Sequence, residues 1–324
     1  MELKRREFLQ LAAALAAAGA SPALWAAGRE PFTVYGAPAL PSMMIAVAAL
    51  QGKLAKQADV SLKIWRSPDQ LRAGVASGQF KIMMSPSNVG ANLRNQGRKV
   101  GMVNILTNGI TQIVCKQNIA APQDLAGKKI IVPFKNDMPD IVLQALLKKL
   151  KIDAGKVAVT YAATPVEAVG LFLGKDFHAA VLPEPMASAC ILRGKAMGAN
   201  IMRGFDLVKA WGQAFDTKPL IPMAGIIADT DYFRAHKAQF DTFHQDLKNA
   251  LVWINANRQS AAQIGKNYLP APEPALAAGL DGARLTVTKA SEIKNEILHF
   301  YEILMQFNPK LLGGKMPDSG FFLS

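Results

Sequence analysis

The sequence predicts an α/β protein of two lobes, each with its own doubly wound sheet, and three observations carry that prediction. Strand-like and helix-like patterns alternate with short connections from Phe32 to Asn104, and the alternation restarts at Thr111. The 324 residues are 50% hydrophobic and 19% charged, which gives an ample core, and the length suits two compact units or one large one. After Thr230 the pattern turns helical, so the last helices have no sheet of their own to cover. The economical arrangement sends the chain back near Leu220 and packs them on the first lobe.

Residues 1–27 are set apart first. "MELKRREFLQLAAALAAAGASPALWAA" has a basic start, an apolar centre and small residues at its end, which is the pattern of an export signal. Arg5-Arg6 followed by Phe8-Leu9 fits the twin-arginine form, with the general secretory route as the other possibility. Cleavage after Ala20, Ala26 or Ala27 fits, and the later sites suit a strand starting near Phe32. No other stretch reaches about 18 uninterrupted apolar residues. The expected location is therefore the periplasm.

The elements follow in order. Phe32–Tyr35 reads as a strand, and the loop with Gly36, Pro38 and Pro41 leads to a helix over Ser42–Gln51. From Met43 to Leu50 that helix has no polar side chain, so it is expected to be buried with only its first turn open. "VSLKIW" (Val60–Trp65) alternates as a strand. Ser67 then caps a helix with Pro68 at its first position. Lys81–Met84 is a strand, "SPSNVGANLRNQG" a loop and helix closing at Gly97, and Val100–Asn104 a fourth strand. In the second unit Thr111–Lys116, Ile130–Val132, Val157–Tyr161 and Ala179–Leu182 are strands. Pro139–Lys151, the Pro165 helix and a helix after Pro185 alternate with them. Ile221–Thr230 reads as one more strand. Asp231–Asn257, Ser260–Tyr268, Glu273–Leu280 and Ser291–Phe307 read as helices. The second unit thus spans roughly Thr111–Leu220, and the return near Leu220 would make the first lobe discontinuous.

Charge and rare residues narrow the function. The formal net charge is +13, and the leader holds three cations against two carboxylates, so +12 stays with the rest. That favours anionic ligands. The basic residues are scattered without an aromatic platform, which argues against nucleic acid. Cys115 and Cys190 sit in apolar runs and read as two buried free thiols. The four histidines are dispersed, so no metal and no other cofactor is expected. No G-x-S-x-G, G-x-G-x-x-G or P-loop occurs, and no catalytic residues are assigned.

In an open parallel sheet, ligands sit beyond the carboxyl ends of the strands, where helix starts offer unpaired N–H groups. Five loops meet that description. They are Ala39-Leu40-Pro41-Ser42; Ser85-Pro86-Ser87-Asn88; Asn108; Phe134-Lys135-Asn136-Asp137; and Pro183-Glu184-Pro185, where Glu184 is fixed between two prolines. Trp211 near the second connection is a further candidate wall, although such residues more often belong to the core.

The leader, "DLAGKKIIVP", "TPVEAVGLFLGKDFHAAVLPEP" and "MSPSNVGANL" together resemble the solute-binding proteins of ABC transporters. The resemblance is to the group that includes sulfonate, taurine, nitrate and thiamine-precursor binders (the NMT1/THI5-like group). It runs from about Phe32 to Leu312. It implies a type II periplasmic-binding-protein fold whose lobes, 28–107 with 224–324 and 108–223, are joined by crossing segments near Ile105–Thr111 and Leu220–Gly225. It implies further a small anionic or polar heterocyclic ligand trapped between closing lobes, and contacts from those five loops. It also implies a monomer that delivers the ligand to a membrane permease and ATPase. The chain departs from the sulfonate binders in one respect: Arg193 and Arg203 lie beyond the strand ends, and no arginine is well placed for a sulfonate. An enzyme of lyase or dehydratase type, or a ligand-sensing partner of a signalling protein, remains an alternative on the same fold.

Overall fold

The structure is a computed structural model that describes residues 29–324. The export signal expected over 1–27 lies outside them.

The first unit opens with β1 (Pro31–Gly36), α1 (Pro41–Gln51), β2 (Asp59–Ile64), α2 (Pro68–Ala76), β3 (Ile82–Pro86) and α3 (Ser87–Asn95). β1 lies between β2 and β3 and is parallel to both, so α1 and α2 serve as crossover helices. The fourth strand expected over Val100–Asn104 is two short ones, β4 (Val100–Met102) and β5 (Asn104–Thr107).

The second unit holds β6 (Thr111–Cys115), β7 (Lys129–Pro133), α4 (Met138–Lys149), β8 (Ala158–Ala162), α5 (Pro165–Gly174), β9 (Ala179–Pro183) and α6 (Met186–Ala196). β10 (Met202–Arg203) and α7 (Leu207–Phe215) close it. Its five-stranded sheet has the order β10-β6-β9-β7-β8. β7 is parallel to β8 and β9, whereas β6 is antiparallel to β9.

The chain then returns through β11 (Ala224–Asp229) to the first sheet. It continues as α8 (Thr230–Ala235), α9 (Lys237–Ala256), α10 (Arg258–Gly265), α11 (Glu273–Gly279), β12 (Leu285–Lys289) and α12 (Lys294–Phe307). The first sheet runs β12-β5-β11-β3-β1-β2, with β4 beside β11. β11 is antiparallel to β3, β4 and β5, so both sheets are mixed rather than parallel throughout. Antiparallel insertion is what lets the chain enter and leave each sheet without a further crossover helix. A Cβ on Gly225 would fall 1.8 Å from the Asn104 carbonyl oxygen, so only glycine lets β11 pass β5 so closely.

α1 explains its own composition. It packs on the sheet from one side and under α9 and α10 from the other, and every residue from Pro41 to Ala48 is buried. Its first turn is not open as expected. The Leu40 amide donates to the Glu184 carbonyl at 3.3 Å, and a Cβ on Gly279 would come within 2.8 Å of the Leu40 side chain. Trp211 is also core, 4.3 Å from Phe215 and 5.6 Å from Phe300 between ring centroids. Cys115 and Cys190 are buried and unpaired. No helix among the described residues is long and apolar enough to cross a membrane.

Candidate functional site

A cavity lies where the carboxyl ends of the two sheets face each other. It holds about 770 Å³ of atom-free space, part of it open to solvent. On the side of the first sheet it is walled by the loop after β1 (Ala37, Pro38, Ala39), Trp65 after β2, the end of β3, and Met223 with Ala224. Ile110, Phe134, Met138, Pro139, Pro165 and Pro183 form the facing wall. The two connecting stretches run along its edge. There the Asn108 carbonyl accepts from the Ile221 amide at 3.0 Å, and the Thr107 carbonyl from the Met223 amide at 3.1 Å.

The five expected loops reach this cavity or adjoin it, but often through a neighbour of the residue named. Ser85 and Phe134 line it directly. Of the first loop, Pro38 and Ala39 face the space, while Leu40, Pro41 and Ser42 are buried behind them. The Ser42 hydroxyl donates to the Ala37 carbonyl at 2.6 Å. Ser87 and Asn88 are buried beside the wall, where Val89 is the lining residue. Their Oγ and Oδ1 atoms have no hydrogen-bond partner among the described residues, and neither does Oδ1 of Asn108. Lys135 points to solvent with its ammonium 5.2 Å from the Tyr161 ring centroid. Asn136 is exposed, and its amide donates to Asp140 at 2.9 Å. Asp137 is the polar residue of that turn at the cavity. Phe134 and Asn136 hold left-handed backbone, φ 59° and 61°, a strain of about 1–3 kcal/mol each that non-glycine residues carry only when the surroundings fix them.

Glu184 belongs to a different constellation. Pro183 faces the cavity, but the next side chain turns away and is fully buried. Its Oε1 accepts from Arg203 Nη2 at 2.5 Å and its Oε2 from the Ser188 amide at 3.1 Å. Arg203 also donates to the Ser188 hydroxyl at 2.9 Å. Gly279 and Gly282, ahead of β12 in the first sheet, press on the carboxylate: a Cβ there would come within 2.9 and 2.7 Å of its oxygens. The Gln112 side chain donates to the Gly282 carbonyl at 2.8 Å. Burial pushes the Glu184 carboxyl up from its usual range, and the Arg203 guanidinium offsets part of that rise.

Sequence reasoning misses Arg72, the one cation among the described residues that line the cavity. Its guanidinium lies 3.9 Å from Asp137 across the cleft and 3.6 Å from Asp69, and its side chain is 46% exposed. The signal is present: Pro68, Leu71 and Arg72 fall at i, i+3 and i+4 of α2 and so share a face. Asp137 is buried, caps α4 by accepting from the Met138 amide at 3.0 Å, and has its carboxyl pushed up by burial against the pull of Arg72. Thr107 and Thr111 complete the polar lining, and no histidine, cysteine or lysine among the described residues contributes to it.

No family model matches the chain, and no curated protein matches it. Solved structures do. An ABC transporter protein from Parabacteroides distasonis is 19% identical with a TM-score of 0.74, covering 90% of this chain and 98% of its own. The periplasmic aliphatic sulphonate binding protein SsuA of Escherichia coli is 17% identical with a TM-score of 0.71, covering 91% and 92%. The periplasmic nitrate-binding protein NrtA of Synechocystis is 13% identical with a TM-score of 0.58, covering 76% and 69%. At such identities the likeness is one of fold: the chain has the type II periplasmic-binding-protein fold.

Proposed function

We propose that this chain is the solute-capturing component of an ABC-type importer. It would hold a small molecule in the cleft between two lobes and deliver it to a membrane permease and its ATPase. The observation that carries the reading is the position of the cavity: walled by both sheets at their strand ends, and edged by the two stretches on which the lobes would hinge. The likeness to ligand-binding proteins of known fold supports it. On this reading lobe 1 comprises 28–107 and 224–324 and lobe 2 comprises 108–223, and the leader sends a monomer to the periplasm. Ser85 and Phe134, with Pro38, Ala39 and Asp137 of the expected loops, are proposed as ligand contacts, and Arg72 is added.

The mechanism needs no covalent step. A ligand that touches both walls binds the closed form more tightly than the open one, and that difference shifts the population. Small-angle scattering of the purified protein with its co-purified molecule, identified by native mass spectrometry, tests this. Contraction on rebinding is expected, with the molecule recovered unchanged. Chemical conversion of the molecule would sink the transport reading in favour of an enzyme.

A further inference from the structure

The cleft is poor in hydrogen-bond donors, and the cause is written into its prolines. Six of the lining residues are proline: Pro38, Pro68, Pro86, Pro139, Pro165 and Pro183. Four of them stand at the start of a helix, with Pro68, Pro139 and Pro165 in the first turns of α2, α4 and α5 and Pro86 at the cap of α3. Each removes one of the amides that such a helix start would otherwise offer an anion. Caps occupy others: Ser67 takes the Gln70 amide, Asp137 the Met138 amide and Thr164 the Glu167 amide, while α3 has no side-chain cap and its Ser87 amide is taken by the Met223 carbonyl.

The lining hydroxyls are committed as well. Ser85 donates to the Pro86 carbonyl at 3.1 Å, Thr107 to the Ala283 carbonyl at 2.7 Å, and Thr111 to the Met223 sulfur at 3.6 Å. The Trp65 indole donates to the Met84 carbonyl at 3.0 Å. What remains toward the space is apolar: Trp65, Leu71, Met84, Val89, Met138 and Met223. The charged lining among the described residues is one Arg72–Asp137 pair, which cancels. A small oxyanion would lose its hydration with a single guanidinium in exchange, and a buried charge without several partners is strongly disfavoured.

Resting on the capture reading above, we propose that the ligand is an apolar organic molecule, aromatic or branched aliphatic. Its one polar group meets the Arg72–Asp137 end. Small hydrated anions such as nitrate are disfavoured there. The methionines suit this task, because flexible thioethers repack around rings and branches.

The test titrates the purified protein with N-phenyl-1-naphthylamine, an uncharged apolar fluorophore, and separately with nitrate, sulfate and taurine by calorimetry. The expected result is saturable one-to-one fluorescence, sensitised emission from Trp65 at the wall, and no heat with the three anions. Ala39→Trp, in the loop after β1, should weaken the fluorophore at least tenfold. Trp65→Phe should lower the sensitised emission to the remainder from Trp211 and Trp253 while retaining the fold, which guards against a misfolded Ala39→Trp. Absence of saturable binding overturns the inference, as does submillimolar affinity for any of the anions. Binding unchanged in Ala39→Trp and without sensitised emission also overturns it. Fluorophore binding that meets every expectation but produces no contraction in scattering leaves this inference standing and sinks the capture reading instead.

Discussion

Pro183 and Glu184 are adjacent in sequence and serve opposite purposes. Pro183 faces a cavity with few donors, walled by prolines and thioethers. Glu184 turns into a junction where carboxylate, guanidinium, hydroxyl and backbone amides satisfy one another against Gly279 and Gly282. Both sites lie between the part of the chain that builds the second sheet and the part that builds the first. The polar one joins the two parts, and the apolar one leaves space between them. Of the two, the Glu184 cluster has its polar groups paired with one another, and the cavity beside it is the less polar.

Breaking the junction should have the largest effect. Arg203→Met leaves the buried Glu184 carboxylate uncompensated, a loss of about 3 kcal/mol at neutral pH. Arg203 is 35% exposed, so solvent screening keeps the loss from the top of that range. The pH dependence has a definite sign. Burial already holds the Glu184 carboxyl above its usual range, and removing Arg203 raises it further. The folded state then binds the proton more tightly than the unfolded state. Stability must fall as pH rises from the ordinary carboxyl range through the raised value, and the variant should recover toward pH 5 in urea unfolding. Equal losses at pH 5 and pH 8 would refute the assignment. The double replacement Glu184→Met with Arg203→Met should regain much of the loss, because no charge is left to bury.

A second variant attacks the same junction from its other wall. Gly282→Ala places a Cβ within 2.7 Å of Glu184 Oε1 and 3.2 Å of the Arg203 guanidinium. Overpacking there should cost about 1–3 kcal/mol, read as a lowered urea midpoint with an unchanged slope. The cavity side should respond least in stability. Arg72→Gln removes a half-exposed side chain with ion partners at 3.6 and 3.9 Å, so a change within about 0.5 kcal/mol is expected. If the comparison holds, that variant shifts ligand affinity while its melting curve stays in place, and the junction variants do the reverse.

Much of the architecture was legible because its signals are local. Ser67-Pro68 and Thr164-Pro165 announce helix starts, and the structure has α2 and α5 there with those caps. The unbroken apolar run of α1 announces burial. What was not legible depends on pairing across the chain. β12 goes unpredicted although "LTVTK" alternates, because the surrounding helices make a strand uneconomical. The antiparallel entry of β11 leaves no local mark beyond Gly225. The loops of the candidate site can be named from strand order, but which residue of each loop faces inward depends on backbone turns at Phe134 and Asn136 that the sequence does not display. Arg203 looks remote in the sequence for the same reason. Its two-residue strand β10 brings it beside β6 and hence to Glu184.

The doubly covered α1 has a consequence for the order of synthesis. One side of it rests on a sheet that needs β11, and the other lies under α9 and α10, all of which are translated after the whole of the second unit. The second sheet, by contrast, is complete by Arg203. A ribosome would thus release a finished second sheet while α1, made before it, still presents an uncovered greasy surface. The surface exposed longest during synthesis then lies ahead of the second unit rather than behind it. A stalled chain ending at Met223 should bind an apolar dye strongly, and one extended through Gly265 should bind it far less.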